Sequence, residues 1–298
     1  MTAMDRTTLR LADGRVLDLR TAGPAGGDVL VFCHGTPQSG GLDGATLQAA
    51  IDRGLRVVAW SRPGYSTSSA QPGRTVASFA DDAREVLDQL GVATCIAAGW
   101  SGGGPHVLSL AAGLPDRVRG VAVLAGVAPY AESQGSLDWM AGMGEDNILE
   151  FGAAMAGEQP LREFLGEVGP VMATIERDDV VEAMATLLPD EDRAWISGDF
   201  GVDLARGFRE AVEVGIEGWV DDDLAFVAPW GFELGLIQVP VAVWQGSEDL
   251  MVPAAHGPWL ASHVAGARAH LIDREGHLSV VLGRVGEILD DLVALGRA

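Results

Sequence analysis

The strongest constraint on this chain is a series of short, apolar runs separated by segments of helical periodicity. Residues 29–33, 57–60, 94–98, 118–124 and 239–244 are such runs. A strand with one wet face alternates apolar and polar residues, whereas a strand that is apolar throughout is covered on both faces. Residues 47–53, 78–90 and 103–112 carry helical patterns between them, with Gly91, Gly113 and Pro115 placed to stop the last two. Asp81 follows Ser78 at the spacing of a capping box. This alternation predicts an α/β fold, a mostly parallel sheet with helices on both faces. Right-handed crossovers then gather the carboxyl ends of the strands along one edge, where ligands bind. Residues 7–11 and 16–20 alternate in polarity around Asp13-Gly14, which predicts an N-terminal hairpin.

The rhythm changes after Pro129. Residues 130–235 contain no buried-strand pattern, but helical patterns recur at 148–155, 161–168, 180–188 and 204–214, with Trp139, Trp195, Trp219 and Trp230 among them. The strand and helix alternation returns with a helix at 256–264, a strand at 269–272 and a last helix at 282–295. The expected organisation is a core built from residues 1–129 and 236–298, with residues 130–235 inserted as a helical lid over the strand ends.

A chain of 298 residues, 48% hydrophobic, can bury a core of this size. Its formal net charge is -22 and all 20 basic residues are arginine. Such a surface repels phosphate backbones and anionic headgroups, so nucleic acid and membrane are not expected partners. No apolar stretch is long enough to span a bilayer, and the first ten residues lack the apolar region of a secretory signal, which makes the cytoplasm the expected location. Cys33 and Cys95 each fall inside an apolar run and in no metal-type spacing, so buried free thiols are expected.

Four segments carry the chemistry. Gly99-Trp100-Ser101-Gly102-Gly103 follows one strand and opens a helix. A strand that turns abruptly into a helix strains its central residue, needs glycine where flanking side chains would collide, and lifts the Ser101 hydroxyl above a helix N-terminus. His34-Gly35-Thr36-Pro37 follows the run at 29–33. Gly246-Ser247-Glu248-Asp249-Leu250-Met251-Val252-Pro253 follows the run at 239–244. Glu275-Gly276-His277-Leu278 follows the strand at 269–272.

Together these segments resemble the α/β-hydrolase superfamily over nearly the whole chain outside the helical insertion. The resemblance implies that Ser101 is the nucleophile, Asp249 rather than Glu248 the acid, and His277 the general base, in the chain order of that family's triad. It further implies that the N–H groups of Thr36 and Gly102 form the oxyanion hole, and that His34 orients its loop without acting as the base. No metal and no organic cofactor is implied. His106 is expected to pack in the core, and His256, His263 and His270 to be surface or structural. Trp60-Ser61-Arg62-Pro63-Gly64-Tyr65-Ser66 resembles a family loop but has Ser61 where Asp is usual and Ser66 where Gly is usual, which puts the local loop shape in doubt.

The function implied is hydrolysis of a small-molecule ester-type bond through an acyl-enzyme, as in a carboxylesterase. Lactone, thioester and carbon–carbon hydrolysis share the same machinery, as does cofactor-free perhydrolysis. The apolar residues of the insertion suggest an apolar acyl or alcohol group. A ligand sensor with little turnover is the alternative of another class.

Overall fold

The computed structural model describes residues 4–297. Strands β1 (Asp5–Arg10) and β2 (Val16–Ala22) form the expected hairpin, with Gly14 in the turn at a φ of 93° that favours glycine. There follow β3 (Val29–Cys33), α1 (Gly44–Asp52), β4 (Arg56–Trp60), α2 (Ser78–Gln89), β5 (Cys95–Trp100), α3 (Gly103–Gly113) and β6 (Val118–Leu124). Seven helices come next: α4 (Tyr130–Ser133), α5 (Glu145–Ala156), α6 (Glu158–Met172), α7 (Arg177–Ala183), α8 (Asp190–Ile196), α9 (Asp199–Ala211) and α10 (Glu217–Val227). The chain closes with β7 (Val241–Gly246), α11 (His256–His263), β8 (Arg268–Ile272), α12 (Ser279–Leu282) and α13 (Val285–Leu295).

All eight strands form one sheet in the order β1-β2-β4-β3-β5-β6-β7-β8. β3 through β8 run parallel, and the N-terminal hairpin joins β4 antiparallel. The apolar runs alternate between the two faces of the sheet. Val31, Val58, Ala97, Val123 and Val243 face α2, α3 and α11, while Leu30, Val57, Ile96, Leu124 and Trp244 face α1, α12 and α13. A strand packed this way cannot carry a polar residue on either side, which accounts for its unbroken apolar sequence. Cys33 and Cys95 are buried free thiols on the first face. Burial raises both, the Cys33 thiol beyond the range of ordinary titration and Cys95 to about 12.

The segment between β6 and β7 contains helices and no strand among the described residues, and it has a core of its own. Leu161 and Leu165 of α6, Val180 of α7, Ile196 of α8, Phe208 of α9 and Trp219 of α10 pack together. Its two ends are fastened to the main core, through Trp139 and Phe151 at the start and Phe226 and Trp230 at the end. Helices α8 and α10 lie where the sequence pattern predicted none. Each buries acidic residues, Asp192 in α8 and Asp221, Asp222 and Asp223 in α10, so the apolar periodicity that marks a helix is broken. The Ser78 and Asp81 capping box does not form. Ala77 is the cap position, Ser78 Oγ accepts from Thr75 N at 3.1 Å, and Asp81 pairs with Arg84.

Candidate active site

Ser101 sits in the turn between β5 and α3 with a φ of 55°, a left-handed conformation that is strained for a residue with a Cβ. The turn is held by Ser101 N donating to Leu124 O at 2.8 Å and by Gly104 N donating to Ser101 O at 2.8 Å. The flanking glycines follow from packing. A Cβ on Gly99 would stand 2.2 Å from Gly103 O, and one on Gly103 would stand 2.1 Å from Cys33 O. No side chain fits either gap.

β3 and β5 are neighbours in register, with Cys33 opposite Gly99, so the loop leaving β3 must pass beside this turn. A Cβ on Gly102 would lie 2.3 Å from Thr36 Oγ1, which measures how closely the two loops approach. The N–H groups of Thr36 and Gly102 take no part in the loop and turn hydrogen bonds that tie this region together. His34 orients the loop, as expected. It is buried, Arg62 N donates to its Nε2 at 3.0 Å, and its Nδ1 bonds Gly35 O at 2.7 Å. Burial and the Arg62 charge hold it well below the usual histidine range.

Asp249 follows β7 and His277 follows β8. Both are buried, and His277 Nδ1 lies 2.8 Å from Asp249 Oδ2. Asp249 Oδ1 accepts from Met251 N at 2.9 Å and Val252 N at 2.8 Å, and its Oδ2 also accepts from Gln245 Nε2 at 2.9 Å. Glu248 is exposed. Burial opposes a charge on His277, but the Asp249 carboxylate and its hydrogen bond, with help from Asp192, outweigh this and raise the imidazole above its ordinary 6.5. Ser101, Thr36 and His277 line one chamber, and Ser101, Thr36 and Gly102 line a second that adjoins it. The structure contains no hydrogen bond between Ser101 Oγ and His277; such contacts often tighten only when substrate is bound.

Three supporting residues escaped the reading of the sequence. Asp192 of α8 reaches from the helical segment to the His277 loop, where His277 N and Ser279 N each donate to it at 2.8 Å. Asp222 of α10 and Arg62 form an ion pair at 2.6 Å with no exposure on either side. Arg74, Tyr65 and the Thr36 hydroxyl also reach Asp222, at 2.6, 2.8 and 2.7 Å. Burial disfavours the Asp222 charge, but Arg62 and Arg74 reverse this and hold it well below the usual carboxylate range. Arg62 in turn donates to the carbonyls of His34 and Gly35, so the pair braces the loop that carries Thr36. In sequence, Asp192 and Asp222 sit in acidic runs with no local sign that either is buried.

The departures in the loop after β4 are accommodated. Ser66 adopts a φ of 50°, in the region where glycine is at ease. Ser61 Oγ donates to Asp18 at 3.1 Å and accepts from Gly40 N at 2.9 Å. Of the other histidines, His106 is buried against Phe79 and Phe226 and bonds Gly102 O. His256 is buried between Ala128 N and Trp139 O, while His263 and His270 stack on Trp259 and Trp244.

A family model described as alpha/beta hydrolase fold matches residues 28–152. A Mycobacterium phage D29 protein is 31% identical over 165 residues, 55% of this chain and 57% of its own. The non-heme chloroperoxidase of Streptomyces lividans is 27% identical over 96% of this chain and 98% of its own. An esterase from Exiguobacterium antarcticum superposes with a TM-score of 0.69 at 19% identity, covering 98% of this chain and 99% of that one. With this sheet order and these matches, the chain has the α/β-hydrolase fold. It is an enzyme of that hydrolase class.

Two predictions follow from the geometry. Arg62→Met should leave Asp222 buried with part of its compensation gone and destabilise the protein by about 3–5 kcal/mol, measurable by urea unfolding. The His277 imidazole, followed by NMR, should titrate above 6.5, and Asp249→Asn should move that titration to lower pH. The sign is that of a raised histidine: the stabilisation is fully present in acid and is lost as pH rises through the folded-state value.

Proposed function

We propose that this protein is a serine hydrolase that cleaves small-molecule carboxylic esters through an acyl-enzyme. One observation carries this reading: the strained turn presents Ser101 in the same chamber as an imidazole already paired with a buried carboxylate. His277 takes the Ser101 proton as the hydroxyl attacks the ester carbonyl, and Asp249 holds the ring in the tautomer that leaves Nε2 free. The negative charge that develops on the carbonyl oxygen rests on the N–H groups of Thr36 and Gly102, each donor contributing about 3 kcal/mol. His277 returns the proton to the departing alcohol, and water then attacks the acyl-enzyme with the same base. In this reading residues 130–235 act as a lid whose inner face selects the substrate.

The test uses p-nitrophenyl acetate and a series of longer esters. Ser101→Ala should abolish the burst and turnover, and Asp249→Asn should lower kcat about 10⁴-fold. Wild-type activity in the Ser101→Ala protein would overturn the assignment.

The near full-length likeness to a chloroperoxidase favours a second reading, in which hydrogen peroxide replaces water in the deacylation step and releases a peracid. Supplied with acetate, peroxide and bromide, the protein should then brominate monochlorodimedone, and Ser101→Ala should not. Ester hydrolysis without bromination excludes this reading and leaves the first standing.

A further inference from the structure

Two chambers meet at Ser101, and they differ in what lines them. The first holds His277 and is walled by Trp100, Phe200, Leu204 and Leu278. The second holds Gly102 but not His277, and is walled by Phe151, Phe164, Trp219 and Phe226. They contain about 800 and 960 Å³ of atom-free space, including solvent at their mouths. If Ser101 is the nucleophile, the leaving oxygen must take its proton from His277, so the leaving group belongs in the first chamber. The acyl group then belongs in the second.

Away from Ser101 and Thr36 the second chamber is mostly apolar, with Asn147 and one acidic patch as its polar part. Asp146, Glu150 and Asp223 line it, and no arginine or histidine does. Asp146 is engaged, accepting from the Thr186 hydroxyl at 2.6 Å. Glu150 is half-buried and accepts the Trp219 indole N–H on one oxygen at 2.6 Å. Asp223 is fully buried, and apart from the neighbouring Glu150 carboxyl no side chain or backbone group bonds its oxygens. The Glu150 carboxyl lies against it; burial, with that neighbour's charge, pushes Asp223 well above the usual carboxylate range. Burial raises Glu150 as well.

Two carboxyls in contact, one of them fully buried and with no cation lining their chamber, are costly and are retained by few proteins without a use. The Arg74 charge opposes the upward shift of Asp223 but does not outweigh it. Arg62 and Arg74 are committed to Asp222. What the patch lacks is a group with N–H donors and one positive charge, arriving through the chamber.

We propose that Glu150 and Asp223 determine specificity in the acyl chamber and receive an ammonium group carried on the far end of the substrate's acyl chain. This rests on the Ser101 reading only for which end of the substrate enters the chamber. Glu150 makes the direct contact, and Asp223 behind it holds the negative charge in place.

Two measurements test it. In Ser101→Ala protein, n-alkylammonium chlorides should raise the melting temperature, alkanols of equal length should not, and Glu150→Gln with Asp223→Asn should remove the shift. In the wild type, methyl esters of ω-amino acids should exceed their alkanoate isosteres in kcat/KM by about tenfold or more at one chain length. That ratio should fall to near one in Glu150→Gln and in Asp223→Asn. Turnover of the neutral esters with no amine preference at any length, or a preference that survives both substitutions, overturns the proposal while leaving Ser101 in place. Stabilisation by ammonium that is lost in the double variant, in a protein that hydrolyses no ester, supports the acid pair and overturns the Ser101 reading instead.

Discussion

The arrangement around the candidate site depends on the buried pair of Arg62 and Asp222. Burying two charges costs several kcal/mol each, and their attraction repays this only when the remaining donors and acceptors are satisfied. Here they are. Asp222 meets Arg62, Arg74, Tyr65 and Thr36, and Arg62 donates to the His34 and Gly35 carbonyls and the Thr36 hydroxyl besides. The cluster joins three parts of the chain: the loop after β3, the loop after β4 and helix α10. It thereby ties the loop that carries Thr36 to α10, while Arg62, Tyr65, Arg74 and Asp222 themselves line neither chamber.

The other buried acids extend the contrast. Asp249 is surrounded by donors and faces an imidazole. Asp192 is raised by burial, against the pull of the backbone N–H groups it accepts. Asp223, one residue from the strongly depressed Asp222, is pushed the opposite way by burial, with a carboxyl rather than two guanidinium groups as its neighbour. Successive residues on a helix point about 100° apart, so Asp222 can face a basic cluster while Asp223 faces the chamber. One turn of α10 thus supplies both a structural anchor and the polar end of a mostly apolar cavity.

Much of the fold was legible because its physics is local. The apolar runs at 29–33 and 118–124 coincide with β3 and β6, since a strand covered on both faces leaves little choice of residue. Gly99 and Gly103 were readable from steric demand alone, and the collisions they avoid are with Gly103 O and Cys33 O. The residues that pair across long stretches of chain were not legible. Asp192, Asp222 and Arg62 carry no local mark that separates a buried charge from a solvated one. Helices α8 and α10 were missed for the same reason, because their inward faces are partly acidic. Ser78 misled in the other direction: the spacing to Asp81 was right for a capping box, but the helix begins at that serine rather than after it.

Asp192 and Asp222 both belong to the stretch between β6 and β7, yet each fastens a loop that belongs to the sheet. That stretch is consequently not an exchangeable module. Transplanting the corresponding helices from another protein of this fold would remove both anchors at once and loosen the loops bearing residues 36 and 277. A chimera would have to bring matching carboxylates with it, which couples any change in these helices to the rigidity of the loops beneath.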